Sequence, residues 1–236
     1  MAKGGNLYLI PSAIDEAFSS VLLADYLVVL KDLRYFVVEN IRSARRFIKQ
    51  VQPAFDINSA TFWEIDKHHP DQMLEEPIQI LRSGLSIGLL SDAGCPGIAD
   101  PGNKLVSEAH RNNIRVVPWI GPSSILLALM ASGMNGQQFA FHGYLPQSRA
   151  ELAIKLKQLE AESARTKGTQ LFIETPYRNE SLFQALIHHL KDSTTLCLAI
   201  ALTGPDELIL RHPIGIWKKT APPSIHKKTT LFLIEA

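Results

Sequence analysis

Two acids stand in a loop rich in glycine, alanine and proline, directly after an apolar run. The segment SDAGCPGIADPG (91–102) follows LSIGLL and contains Asp92 and Asp100. Gly94 removes a side chain where a ligand could approach the backbone, and the two prolines stiffen the loop. From these residues alone, two interpretations stay open: a tight surface turn, or a binding loop in which one of the two acids faces a ligand.

A second polar turn follows a later apolar run. Gly121 and Pro122 lead from VVPWI into the apolar stretch ILLALMASG, with Ser123 and Ser124 between them. Hydroxyls at the first turn of a helix can cap its free N–H groups, or those N–H groups can hold a polar ligand. Both interpretations stay open here as well.

Strand and helix patterns alternate along the first half of the chain, and strands follow one another late in the second half. This order predicts an α/β protein of two α/β domains, 1–117 and 118–236, with a largely parallel sheet in the first and a mixed sheet in the second. The stretch 123–133 is apolar on nearly all sides, which predicts a buried helix. Asn179 is the expected N-cap of a helix that continues to about residue 192.

Loops with unusual residues follow five of the predicted strands. They are PSA after LYLI, ENIR after YFVV, SDAGCPG after IGLL, GPSS after VVPWI, and ETPYR after LFI. In open α/β sheets, ligands bind beyond the carboxyl ends of the strands. A shared position at strand exits therefore favours a binding site over scattered turns.

Composition and missing motifs exclude several classes of protein. The chain has 236 residues, a formal net charge of +1 and two cysteines far apart, so no disulfide framework or zinc site is indicated. No GxGxxG, GxxxxGK[ST] or HExxH is present. GLSIG (84–88) matches GxSxG in letters, but it opens the predicted strand LSIGLL instead of following a strand, so no nucleophile elbow is expected. Adjacent histidines at 68–69 and 188–189 suit a shared metal poorly. No signal peptide or membrane span is evident, so we expect a soluble cytoplasmic protein. We also expect that the protein needs no metal.

Three segments together resemble a known family. LSDAGCPGIADPGNKLV, then VVPWIGPSSILLALMASG, then FAFHGYLP resemble the tetrapyrrole methylase family of S-adenosylmethionine-dependent methyltransferases. The branch most similar in motif order methylates a ribose 2′-hydroxyl of small-subunit ribosomal RNA. The opening segment LYLIP and the later segment LFIETPYR resemble that branch as well. The resemblance implies the two-domain fold, with the cofactor S-adenosyl-L-methionine in a cleft between the domains.

The chain departs from that branch at specific positions. PTPIGNL is replaced by PSAIDEA, and EDTR by Glu39-Asn40-Ile41-Arg42. Threonine of the SDAG loop is Cys95 here, and SPHR becomes TPYR with Arg178 retained. These changes lie where the branch handles substrate, so the methyl donor is better supported than the methyl acceptor.

The resemblance also implies the residues of the site. Glu39 and Arg42 are the expected catalytic residues, with Glu39 or a water it holds as the base; an alternative is that Glu39 simply pairs with Arg42 on the first helical turn. The expected cofactor-binding residues are Pro11, Asp92, Ala93, Gly94, Cys95, Ile98, Ser123, Ser124, Glu174, Ala201, Leu202 and Thr230. A homodimer is expected, with ribosomal RNA or the small ribosomal subunit as partner.

The acceptor is open to other interpretations. RSARRFIK (42–49) carries four cations and no acid, which fits either phosphate contact or a solvated helix face. The near-neutral charge favours a tetrapyrrole or another small-molecule acceptor. The altered PTPIGNL and EDTR segments would fit a non-catalytic cofactor-binding module.

Overall fold

A computed structural model describes residues 4–15, 23–65 and 74–236 of the chain. It divides into two units, Met1–Ser123 and Ser124–Ala236. The division falls after residue 123, where the sequence predicted a boundary at 117. The physical reason is Trp119, which is buried in the core of the first unit and donates its backbone N–H to the carbonyl of Leu9 (3.0 Å).

The first unit contains a five-stranded sheet in which every pairing is parallel, in the order β3-β2-β4-β1-β5. The strands are β1 (Asn6–Ile10), β2 (Tyr35–Val38), β3 (Thr61–Glu64), β4 (Ile87–Leu90) and β5 (Arg115–Pro118). The helices are α1 (Ala24–Asp32), α2 (Ile41–Val51), α3 (Glu75–Arg82) and α4 (Asn103–Arg111), with a short 3-10 turn at Ile57–Ser59. The predicted helix at 19–30 begins outside the described residues.

Burial follows from this topology. All four residues of β4 are buried, because helices cover a parallel sheet on both faces. Hydrophobic clusters lie on either side of the sheet: one includes Leu7 and Leu105, and the other includes Phe36 and Ile48. The parallel sheet predicted for the first half is confirmed.

The second unit contains a mixed sheet in the order β6-β7-β10-β8-β9. Only β6 and β7 are parallel; the pairings of β10 with β7 and β8, and of β8 with β9, are antiparallel. The strands are β6 (Phe139–Tyr144), β7 (Thr169–Ile173), β8 (Thr195–Ile200), β9 (Leu208–Pro213) and β10 (Thr230–Glu235). The helices are α5 (Ser124–Ser132), α6 (Arg149–Thr166), α7 (Asn179–His189) and α8 (Ile214–Trp217). The mixed sheet predicted for this half is confirmed.

Helix α5 corrects one prediction. The sequence predicted burial on nearly all sides, but Leu126 is 51% exposed and Met130 is 77% exposed. Only one face of the helix, which includes Ala128 and Leu129, packs on its sheet with Leu171 and Leu233. Periodicity could not separate the two faces, because both are apolar.

Within residues 4–15, 23–65 and 74–236, every helix is too short or too polar to span a membrane.

Candidate functional site

The carboxyl ends of the parallel strands form one edge of the first sheet, and the loops that follow β1 and β4 are joined there. The backbone N–H of Ser12 donates to the carbonyl of Gly94 (2.9 Å), and the N–H of Gly94 donates back to the carbonyl of Ser12 (3.2 Å). The Ser12 hydroxyl, which is buried, donates to the carbonyl of Ser91 (2.7 Å). Two loops from distant parts of the sequence are thereby fixed against each other by main-chain contacts.

The loop after β5 approaches the same place through small residues. A Cβ on Gly121 would lie 2.1 Å from Cγ of Pro11, so no side chain fits at that position. The Cys95 thiol donates to the carbonyl of Pro122 (3.3 Å), and burial raises the pKa of this thiol. Gly94 has φ +71°, a conformation that favours glycine. Pro11, Gly94 and Cys95 are therefore brought together, as predicted for one binding site.

The two acids of the loop after β4 have different environments. The Asp100 carboxylate accepts the backbone N–H groups of Gly97 (2.8 Å) and Gly102 (2.6 Å), so it shapes the loop from within. Asp92 is exposed at the sheet edge. The structure thus selects Asp92 over Asp100 as the acid that a ligand can reach. Ala93 and Ile98, also predicted to bind the cofactor, are exposed in the same loop.

Glu39 follows β2 at this edge and contacts the loop after β4. Its Oε2 accepts the backbone N–H of Asp92 at 2.9 Å, which fixes the carboxylate beside the predicted cofactor loop. Asn40 caps α2 by accepting the N–H of Ser43 (3.0 Å), and Arg42 is exposed in the first turn of that helix. Of the two predicted catalytic residues, Glu39 therefore contacts the predicted cofactor loop.

A second group of predicted residues lies along one edge of the second sheet. The antiparallel register of β7 and β10 places Glu174 beside Thr230, and the N–H of Ala201 donates to the carbonyl of Thr229 (2.8 Å). Glu174 is only 8% exposed, and its carboxylate pairs with Arg178 (3.2 Å). Glu174, Ala201 and Thr230 thus share this edge, with Leu202 buried next to Ala201.

The loop after β8 holds a residue that the sequence analysis missed. Ala201 (φ +46°) and Thr203 (φ +66°) both adopt the left-handed conformation, which is costly for residues other than glycine and clusters at functional sites. The Thr203 hydroxyl oxygen is buried and has no hydrogen-bond partner in the described part of the chain. The Gly-Pro pair directly after it (204–205) is typical of a turn, but nothing in the sequence indicates an unpaired hydroxyl.

Asn179 corrects another prediction. It is the first residue of α7 rather than its N-cap, which is Arg178. Its buried amide donates to the carbonyls of Ile225 (3.3 Å) and Lys228 (2.7 Å). The amide group therefore fixes the loop before β10 instead of capping the helix.

The histidine pairs offer no metal site in the described residues. His188 and His189 lie in the last turn of α7 with their rings edge to face. Burial lowers the pKa of His189, and the nearby charges of His188 and Lys157 lower it further. No group of three or more potential ligands that could hold a metal occurs in residues 4–15, 23–65 and 74–236. The pair at 68–69 lies outside the described residues.

Comparison with solved structures defines the fold of the protein. No family model matches the chain. The methyltransferase CobJ aligns with a TM-score of 0.63 at 16% identity, covering 98% of this chain and 94% of that one. A uroporphyrin-III C-methyltransferase from Thermus thermophilus, complexed with S-adenosylhomocysteine, aligns with a TM-score of 0.54 at 13% identity, covering 98% and 97%. The fold is that of the tetrapyrrole methylases.

Comparison with curated proteins gives the family. Ribosomal RNA small subunit methyltransferase I of Vibrio cholerae serotype O1 is 32% identical over 209 residues, 89% of this chain and 69% of that protein. The protein of the same name from Escherichia coli O157:H7 is 32% identical over 211 residues, 89% of this chain and 70% of that protein. The chain belongs to the ribosomal RNA small subunit methyltransferase I family. It is therefore an enzyme of the methyltransferase class.

Proposed function

We propose that this protein transfers the methyl group of S-adenosyl-L-methionine to a ribose 2′-hydroxyl of small-subunit ribosomal RNA. The observation that carries the proposal is the 32% identity to named methyltransferases of that ribosomal RNA over 89% of the chain. Solved structures at 13–16% identity support the fold alone, so they do not favour a tetrapyrrole acceptor over RNA.

The first sheet edge fits a bulky polar donor. An adenosine and an amino acid need backbone groups at close range, and the small, exposed residue Ala93 leaves the main chain of this loop accessible. The main-chain contacts between Ser12 and Gly94 hold the loop in place before any ligand arrives, which reduces the entropy lost on binding. Asp92 supplies a negative charge for an amino group or a ribose hydroxyl.

The second sheet edge also carries groups suited to a ligand. The Thr203 hydroxyl is buried with no hydrogen-bond partner in the described residues, which is costly unless a bound molecule uses it. The buried Glu174 carboxylate, paired with Arg178, places a charged group at the same edge. We include both in the proposed cofactor-binding set, together with Ala201, Leu202 and Thr230. Thr203 extends the set that the family resemblance implied.

When bound, the donor supplies an electrophilic methyl carbon on a sulfonium, whose carbon–sulfur bond breaks with its electron pair going to sulfur. The protein must hold the 2′-oxygen in line with that carbon, within about 3–3.5 Å. It must also accept the hydroxyl proton. We propose that Glu39 accepts this proton, because the Asp92 N–H orients the Glu39 carboxylate at the loop predicted to hold the donor.

The deciding experiment offers labelled donor to three acceptors: ribosomal subunits, naked ribosomal RNA and a nuclease-treated metabolite extract. Label in the RNA, located at a ribose by nuclease digestion, supports the proposal. Label confined to the metabolite extract would establish a small-molecule methylase. Donor binding by calorimetry without transfer to any fraction would establish a non-catalytic module.

A pair of variants tests Glu39. Glu39→Gln keeps the hydrogen bond from Asp92 but cannot accept a proton, so turnover should fall about 100-fold or more while S-adenosylhomocysteine binding persists. Glu64→Gln is the matched control, since Glu64 likewise accepts one backbone N–H, that of Ile41 (2.8 Å), at the neighbouring strand. Equal turnover of the two variants would remove Glu39 from the mechanism.

We also propose, as the family resemblance implied, that the protein is a homodimer. Leu126 and Met130 support this proposal, because they lie one turn apart on α5 and leave an apolar stripe exposed on a single chain.

A further inference from the structure

One face of α2 carries a row of exposed cations. Arg42, Arg45, Arg46 and Lys49 are all exposed, and their spacing of three, four and seven residues places them on one side of the helix. The row spans about 10 Å along the helix axis. One strand of a duplex presents about three phosphates over that length.

The opposite side of α2 is buried, which fixes the direction of the cationic face. Ala44, Phe47 and Ile48 pack into the hydrophobic cluster of the first unit with Phe36 and Phe55. The helix contains no acidic residue. The row therefore has a net positive charge that α2 itself does not neutralise.

Two of the cations are held in place by uncharged groups. The Arg45 guanidinium lies 5.3 Å from the ring centroid of Phe62, and Lys49 Nζ donates to the carbonyls of Pro53 and Phe55 (3.1 Å for the latter). Such contacts order a long side chain without removing its charge. An anion that binds here loses less side-chain entropy than it would at disordered lysines and arginines.

These side chains form a groove with the loop after α2. Arg45, Arg46 and Lys49 line a cavity of about 660 Å³ together with residues 54–58. One acid, Asp56, also lines it, and its Oδ1 accepts the N–H of Asn58 (3.0 Å). Arg45 and Lys49, whose contacts given above are with uncharged groups, outnumber this carboxylate and leave the groove positive.

Arg46 connects this groove to the carboxyl edge of the first sheet. It also lines a smaller cavity, of about 50 Å³, with Ser12, Ser91 and Asp92. Arg46 therefore borders both the groove and the cavity beside the loops proposed to hold the methyl donor. A polyanion in the groove would be led to that edge.

We propose that the α2 face and its groove bind the phosphate backbone of the RNA acceptor; this inference rests on the proposed function. An anionic membrane surface fits less well, because the apolar residues of α2 face the core and none is left to enter a bilayer. Salt-dependent affinity for RNA with little base preference follows from contacts to phosphate alone.

The test compares two double variants by fluorescence anisotropy with a labelled single-stranded RNA. Arg45→Gln with Lys49→Gln should weaken binding about tenfold near 0.15 M salt, and the slope of log affinity against log salt should flatten by about 1.4. Arg149→Gln with Lys157→Gln removes two exposed cations from α6, a helix that also carries acids, and should leave affinity and slope unchanged.

Folding and alternative partners are controlled in the same experiment. Arg45→Lys with Lys49→Arg keeps both charges and should bind RNA within about threefold of wild type, since the electrostatic contribution is preserved. S-adenosylhomocysteine affinity of the Gln variant should be unchanged, because neither residue lines the cavity at the sheet edge. Unchanged RNA affinity and salt slope in the Gln variant would overturn the inference. The inference would also be overturned if the Gln variant lost affinity for phosphatidylserine vesicles and kept its affinity for RNA.

The inference and the proposed function fail in different ways. If wild type methylates ribosomal RNA and the Gln variant does so with unchanged KM, the α2 face is not the RNA contact and the function stands. If wild type binds RNA through α2 but transfers label only to small molecules, the proposed acceptor is wrong and the surface stands.

Discussion

The two sheet edges are held by different kinds of contact. At the first edge, the loops after β1, β4 and β5 meet through main-chain hydrogen bonds and glycines that leave no room for a side chain, as at Gly121. At the second edge, polar side chains hold the loops: Glu174 pairs with Arg178, and the Asn179 amide bonds to the loop before β10. The first edge should therefore respond to added volume, and the second to lost polar groups.

The largest effect is expected from added volume at the first edge. Gly121→Val would place its Cβ about 2 Å from Pro11, so the loops must separate, and we expect a loss of about 4 kcal/mol in the free energy of unfolding. Urea unfolding followed by tryptophan fluorescence measures it. Gly136→Val is the control, since nothing lies within 4 Å of its added Cβ. Equal stability of the two variants would contradict the close approach of these loops.

The second effect concerns a thiol in the middle of the second sheet. Burial raises the pKa of Cys197 to about 11, partly offset by Arg211. The folded state therefore holds the proton more tightly than the unfolded state, so stability is complete below about pH 9 and falls as the pH rises towards 11. Two pKa units correspond to about 3 kcal/mol.

Cys197→Ala removes this titration, so the measurement is the difference between the two proteins. Wild type should lose more stability than the variant between about pH 9 and 11 in urea unfolding. Parallel pH profiles would show that the thiol is not buried as the structure places it. Cys95→Ala serves as comparison, because that thiol is only half-buried.

The third and smallest effect is the loss of a polar group at the second edge. Asn179→Leu keeps the branched shape but leaves the carbonyls of Ile225 and Lys228 without their donor, which should cost about 2 kcal/mol. Gln137→Leu, at an exposed loop position, should cost less than about 0.5 kcal/mol. If Asn179→Leu unfolds no earlier than this control, the amide does not hold the loop before β10.

Several sequence predictions failed for identifiable reasons. Asn179 has the residue type of an N-cap, but its amide is committed to a loop some 46 residues away in sequence, which no local pattern indicates. The apolar stretch of α5 looked buried on every side, although Met130 is 77% exposed. The two units divide after residue 123 and not at the predicted residue 117, since Trp119 belongs to the first core through a contact that is distant in sequence.

The sequence by itself determined the alternation of strands and helices, the parallel first sheet and the cluster of loops at strand exits, because hydrophobic periodicity and glycine or proline turns are local signals. The family followed from the order of its motifs. Only the tertiary structure separated Asp92 from Asp100 and oriented Glu39 towards the loop after β4. It also buried the Thr203 hydroxyl without a partner among the described residues. These features depend on contacts between residues far apart in the chain, and such contacts exist only after the strands have paired.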